Sequence, residues 1–268
     1  MATGYGRRLL KLYAYLLGAM MVLPIVITLP VAVTTTRYMT FPPQGFTLRW
    51  FGGAFEDRIL VESLLRSINL AAVSSALAVA VGLLASFGVE RHAFRGKDLV
   101  ESMFAGPQMV PQIILVLGLL IAYEKMRLAD TSLGLVLSHV IITLPFAFRT
   151  LLASVASLDK RLEWSAQILG ANPFRTFVRV IVPQIKTGMF AAFLFSFMVS
   201  FSNVTMALFL AAAGKKTLPV EMFNRLQVGY ISPAIPALAF ILALAGIGVF
   251  VIADRTVGVY KILGGGGQ

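Results

Sequence analysis

An all-α membrane protein with six transmembrane helices is what this sequence predicts, and three observations carry the prediction. Of its 268 residues, 58% are hydrophobic and only 13% charged, and the mean hydropathy is +0.84. A soluble domain carries about twice that charge. The apolar residues fall in six long stretches with few or no charges, each close to the ~20 residues a helix needs to cross the hydrocarbon core. The basic residues behind the net charge of +11 sit in short clusters between those stretches. Membrane proteins distribute Lys and Arg in this way, so the partner that the charge points to is membrane lipid, with no nucleic acid.

The six stretches are 12–36, 67–89, 102–123, 131–150, 187–213 and 231–253. Each must be helical, because lipid offers no partner to an unpaired backbone amide. The first follows a basic start, "GRRLLKLYAYLL", but its uncharged run is too long for a cleaved leader and reads as a retained span. The fourth is the shortest, holds His139 and Pro145, and is expected to continue past Arg149. Pro24, Pro30, Pro107, Pro111 and Pro145 predict bent or locally unwound helices. The whole of 1–263 reads as a single transmembrane domain, and 264–268, four glycines and a glutamine, as a flexible tail.

Charge sets the direction. With the N-terminus inside, the inner segments hold thirteen Lys and Arg and the outer segments eight, leaving out Arg66 and Arg149 near span ends. The positive-inside rule therefore places both termini in the cytoplasm of a multi-pass chain.

Other chemistry is set aside by what the chain lacks. It has no cysteine and two histidines, so there is no thiol chemistry and no candidate metal site. No Gly-rich loop ending in Lys-Ser/Thr is present to hold a nucleotide phosphate. No carboxylate lies well inside any span, which argues against an embedded enzyme and weakens an ion-coupled secondary carrier as the alternative.

The longest inner loop, 156–186, contains "EWSAQILGANPFRTFVRVIVP". Asp159 can cap a helix that begins at Lys160, and Gly170 can end it. Asn172 followed by Pro173 supplies a second cap with proline in the first turn. The loop therefore reads as two short helices meeting at a glycine corner. Phe174, Phe177, Val178 and Ile181 share one face of the second helix, and Arg175 and Arg179 line another. Glu163 reads as a charged knob beside a shallow notch made by Ala166 and Gly170. Either a docking element or an amphipathic loop lying on lipid headgroups fits these features.

The order Glu163, Ala166, Gly170, Ala171, Pro183 resembles the "EAA…G…LP" motif of permease subunits from bacterial ABC importers. Trp164 and Ser165 depart from the small residues usual after the glutamate. Further stretches, among them "FPPQGFTLRWF", "MVPQIILVLGL" and "TLPVEMF", resemble the spermidine/putrescine branch of that family. The resemblance implies a type I importer permease (MetI-like) fold with cytoplasmic coupling helices, in a bacterial inner membrane. It implies a non-catalytic subunit, with ATP and Mg bound by partner ATPase subunits and no cofactor in this chain. The implied partners are a sibling permease in a heterodimer, two ATPase subunits and a periplasmic substrate-binding protein. Glu163, Trp164, Ala166, Gly170, Ala171, Asn172 and Arg175 would then be the residues coupled to the ATPase, Glu163 to Ala171 lying in its surface groove.

Polar residues at membrane depth are candidates for the translocation path. Ser196, Ser200 and Asn203 fall at helical spacing on one face of the fifth stretch, and His139 and Met109 join them as candidates. Helix-to-helix hydrogen bonding is the competing reading for Ser196, Ser200, Asn203 and His139. Polyamine permeases typically carry acidic residues at the place of Ser202 and Asn203. Their absence leaves the cargo open: a polyamine, or a less cationic solute such as an opine, an amino-acid derivative or an aminophosphonate.

Overall fold

The computed structural model describes residues 4–212, 214–229 and 232–257, and all regular structure among them is helical. The glycine tail at 264–268 and the last inner lysine, Lys261, lie outside the described residues. The chain groups into two compact units, one of residues 4–61 with 222–250 and one of 62–221 with 251–257.

In the first unit, α1 (Gly4–Ala32) runs unbroken through Pro24 and Pro30. It ends four residues before the expected limit at 36, because the chain after it folds back. Thr47 N donates to Val33 O (2.8 Å) and Thr35 N to Gln44 O (3.1 Å), and α2 (Arg49–Glu56) lays Trp50 Nε1 against Thr34 O at 2.8 Å. These bonds take up backbone groups that a continuing helix would have used. Asp57 then caps the next helix, accepting from Ile59 N (3.1 Å) and Leu60 N (3.2 Å). Arg225 donates to both oxygens of Asp57, at 2.6 and 3.1 Å.

The second unit is built around α3 (Arg58–Arg91), α6 (Ser132–Ala156) and α10 (Lys186–Phe201). Ala78, Val79, Leu83, Ala147, Leu151, Val155 and Ala192 from these helices form one buried cluster. Small residues let the helices approach closely, as in other membrane bundles. A Cβ on Gly82 would stand 3.2 Å from Phe148 N, and one on Gly188 would collide with Ser154 Oγ.

Among the described residues, four helices are long and apolar enough to cross a membrane alone, and two bent pairs bring the possible number to six. The first of these pairs is the bend that Pro111 predicts. The third stretch, expected to be one span over 102–123, is α4 (Lys97–Met109) and α5 (Gln112–Met126) at 104° to each other. Pro111 forces the break, since Val110 before it is extended (φ −86°, ψ 131°) as a residue preceding proline prefers. Pro107 and Pro145, in contrast, are absorbed inside α4 and α6.

The fifth stretch, expected to run to 213, stops being helical at Phe201 and restarts as α11 (Thr205–Leu210). Ser202 Oγ bonds back to Met198 O (2.8 Å), and Asn203 Oδ1 accepts from Met206 N (2.8 Å). Side chains that compete for backbone groups in this way end one helix and cap another. Beyond α11 lie α12 (Leu218–Gln227) and α13 (Ala234–Val257).

Candidate functional site: the polar loop

The loop after α6 folds as local chemistry demands. Asp159 Oδ1 accepts from Arg161 N at 2.9 Å and starts α7 (Lys160–Ile168). Gly170, at φ +83°, ends it. Gly170 N donates to Gln167 O (2.9 Å) and Ala171 N to Ala166 O (3.0 Å), the paired bonds of a Schellman turn, which needs a left-handed residue where Gly170 stands. Asn172 Oδ1 accepts from Arg175 N at 2.8 Å, and Pro173 opens α8 (Pro173–Thr176). A π-helical turn (Phe177–Ile181) and a short α9 (Val182–Gln184) follow, and the chain bends by 71° into α10.

The expected single face of the second helix is not formed. The π turn rotates Ile181 into the core and leaves Phe174 and Val178 exposed. Phe177 stacks edge-on against Phe87 of α3, with ring centroids 5.0 Å apart.

Glu163 is also placed otherwise than expected. It points inward, and its carboxylate lies 2.6 Å from Arg91 Nε, with side chains 14% and 6% exposed respectively. The pair is held by proximity rather than by an aligned hydrogen bond. Arg91 also reaches Leu158 O at 3.4 Å, in the turn between α6 and α7. Within this chain the charged knob is thus a clamp joining α3, α6 and α7.

The outward side of the loop is apolar instead. Ile168 is 85% exposed, Leu169 87%, Phe174 76% and Trp164 61%. Leaving adjacent large apolar residues at a solvated corner is unfavourable by the area rule, and a cluster of them marks an interaction surface. Arg175 and Arg179 are exposed beside it, and Ala166 and Ala171 are half-buried. Arg91, Ile168, Leu169 and Phe174 were not picked out from the sequence as site residues. The adjacent pair Ile168 and Leu169 before Gly170 was the available signal, since two neighbours on a helix point in different directions.

The candidate path residues separate in the structure. Ser200, His139 and Ser196 are buried between helices: Ser200 Oγ lies 3.0 Å from Ser74 Oγ and 2.8 Å from His139 Nδ1, and Ser196 Oγ lies 3.4 Å from Thr143 O. Asn203 is not on their helical face, because it sits in the break before α11. Met109 is exposed at the end of α4. Among the described residues no group of three or more His, Cys, Asp or Glu could hold a metal.

Comparisons with known proteins bear on the family and the fold. Residues 78–259 match the family described as binding-protein-dependent transport system inner membrane component. The spermidine/putrescine transport system permease protein PotC of Shigella flexneri is 28% identical over 257 residues, covering 96% of this chain and 94% of that protein. The putrescine transport system permease protein PotI of Escherichia coli is 28% identical over 211 residues, covering 76% of this chain and 75% of that protein. Among solved structures, a chain of a bacterial ABC transporter that imports the acidic polysaccharide alginate superposes with a TM-score of 0.71 at 14% identity, over 96% of this chain and 99% of that one. At that identity the likeness speaks for the fold alone.

Proposed function

The chain belongs to the family of binding-protein-dependent transport system inner membrane components, and from that premise we propose how it works within an importer. It is a multi-pass, non-catalytic permease subunit, and ATP hydrolysis belongs to a partner subunit. That membership decides between the importer subunit and the ion-coupled carrier. We read the loop of α7 to α9 as the coupling element, with Trp164, Ile168, Leu169 and Phe174 seated on an ATPase subunit. The observation that carries this reading is the loop's two-sided build: an apolar knob outside and a buried ion pair inside.

Mechanically, a displacement of the knob is passed to three helices. Asp159 and Leu158 join α7 to α6, the Arg91 clamp joins it to α3, and Ile181 and Ile185 carry it to the base of α10. Because a packed core does not deform continuously, such a displacement favours a shift between two discrete arrangements, which is what alternating access requires. Glu163 and Gly170 act by holding the loop's shape, and Asn172 and Arg175 by starting its second helix. Both termini and the loop then face the cytoplasm. The complex we envisage adds a sibling permease, two ATPase subunits carrying ATP and Mg, and a periplasmic binding protein, with no cofactor in this chain. The cargo is a small organic solute. The relatives' names point to polyamines, while the lack of a carboxylate deep in any span favours a less cationic molecule.

The test uses the chain's freedom from cysteine. Leu169→Cys should react quickly with a maleimide in the chain alone and be protected when the ATPase subunits are bound. An unchanged labelling rate in the assembled complex would remove the docking assignment.

A further inference from the structure

At the other end of the second unit, roughly 38 Å along α3 from Arg91, a cavity of about 460 Å³ is lined by Leu65, Arg66, Asn69, Leu70, Ser132, Leu135, Val136, Lys215 and Thr217. Its volume is that of a small-molecule site. The wall is ordered by bonds across it: Arg66 Nη1 donates to Gly214 O at 2.8 Å, and Leu218 N donates to Ser67 Oγ at 2.7 Å. These fix the 214–218 segment over α3 and so place Lys215 and Thr217.

Three features of the cavity share one electrostatic sense. Two cations, Arg66 and Lys215, line it and no acid does; Glu62 pairs with Arg66 from the side at 3.2 Å. Ser132 opens the 25-residue α6, whose N-terminal end carries the positive pole of the helix dipole. Thr217 is 4% exposed, and its hydroxyl has no hydrogen-bond partner among the described residues, which is costly unless a ligand supplies one. The remaining wall of Leu65, Leu70, Leu135 and Val136 is apolar and suits a short carbon skeleton.

We propose that this cavity binds a small organic anion or zwitterion by its oxyanion head, a carboxylate or a phosphonate, with Arg66, Lys215 and Thr217 as the receiving groups. The inference deepens the permease reading, and rests on it for treating the ligand as cargo. A dication such as putrescine would meet two like charges here, and like-charge contacts oppose binding.

The experiment is equilibrium binding to the full chain in detergent micelles with four probes: 2-aminoethylphosphonate, 4-aminobutyrate, inorganic phosphate and putrescine. At least one of the two organic oxyanions should saturate a single site more tightly than inorganic phosphate does, with putrescine failing to compete. Lys215→Gln should weaken that binding about tenfold, the size of one lost charge-assisted bond. Because Arg66 also holds Gly214, Lys215→Gln rather than Arg66→Gln decides the matter, and Thr217→Val is the second decisive variant. Inorganic phosphate binding as tightly as the organic probes would show that the head alone is recognised and would overturn the organic ligand. No saturable oxyanion binding, or unchanged affinity in both Lys215→Gln and Thr217→Val, would overturn the site. Leu169→Asp should leave probe binding intact, so a failure of the docking loop is told apart from a failure of this cavity.

Discussion

Arg91, the last residue of α3, and Glu163, in the first turn of α7, face each other at 2.6 Å with both side chains nearly excluded from solvent. Removing one member of such a pair strands the other in a poorly solvated place, which costs roughly 3–5 kcal/mol, whereas the intact pair contributes much less. Glu163→Ala should therefore lower both the thermal stability of the purified chain and transport. Exchanging the charges, Arg91→Glu with Glu163→Arg, should recover part of each. If Glu163 acted by touching the ATPase, the exchange would restore nothing, and uptake by the double variant decides between the two.

Gly170 tests the loop's geometry apart from its charge. A Cβ there would meet nothing within 4 Å, yet its φ is +83°. The effect of substitution is therefore conformational, of order 1–2 kcal/mol for an ordinary L-residue and less for Asn. Transport should fall in the order Gly, Asn, Ala, Val, while membrane insertion stays unchanged. Equal activity of the Val variant would show that the Schellman turn is dispensable.

These two positions show where the sequence was readable. Asp159, Gly170 and the Asn172–Pro173 pair were legible because caps and corners are made within four residues of chain. Pro111 announced its own break for the same reason. Arg91 was not legible as the partner of Glu163, since nothing local to either residue specifies a contact between the end of α3 and the start of α7. The break at Ser202 and Asn203 was hidden differently. Apolar residues on both sides kept the hydropathy high, and Asn203 was read as lining a path when it caps the helix that follows the break. The outward face of the loop was missed because exposed apolar residues have meaning only once burial is known.

Asp57 makes a prediction about pH. Its carboxyl is held below its ordinary value of 3.8, first by hydrogen bonds from Arg225, then by the Leu60 and Ile59 amides, with partial burial opposing. A carboxylate whose value is lowered in the fold adds stability that is fully present above the unfolded value and is lost as pH falls through the folded one. The contribution should therefore be constant at neutral pH and fade only below about pH 4. Asp57→Asn should lower the melting temperature at pH 7, and the gap to the parent should close as the pH approaches 3. A gap that widens toward acid would contradict the assignment.

The last prediction concerns the buried chain of hydroxyls at the meeting of α3, α6 and α10. Ser74 Oγ donates to Leu70 O at 2.7 Å, so it must accept from Ser200. Ser200, having given its one proton to Ser74, can only accept from His139, which must then carry hydrogen on Nδ1. This order leaves Nε2 with a bare lone pair, and Nε2 is indeed buried without a partner among the described residues. The His139 ring is therefore expected as the Nδ1–H tautomer, readable from the nitrogen shifts of labelled histidine. Ser200→Ala breaks the relay in the middle and strands a donor on His139, for an expected loss of about 1–2 kcal/mol. Ser74→Ala removes only an end. Combining the two should cost less than the sum of the single variants, because the second removes a partner already lost. Strict additivity, or an Nε2–H tautomer, would mean that the three side chains are neighbours without being a relay.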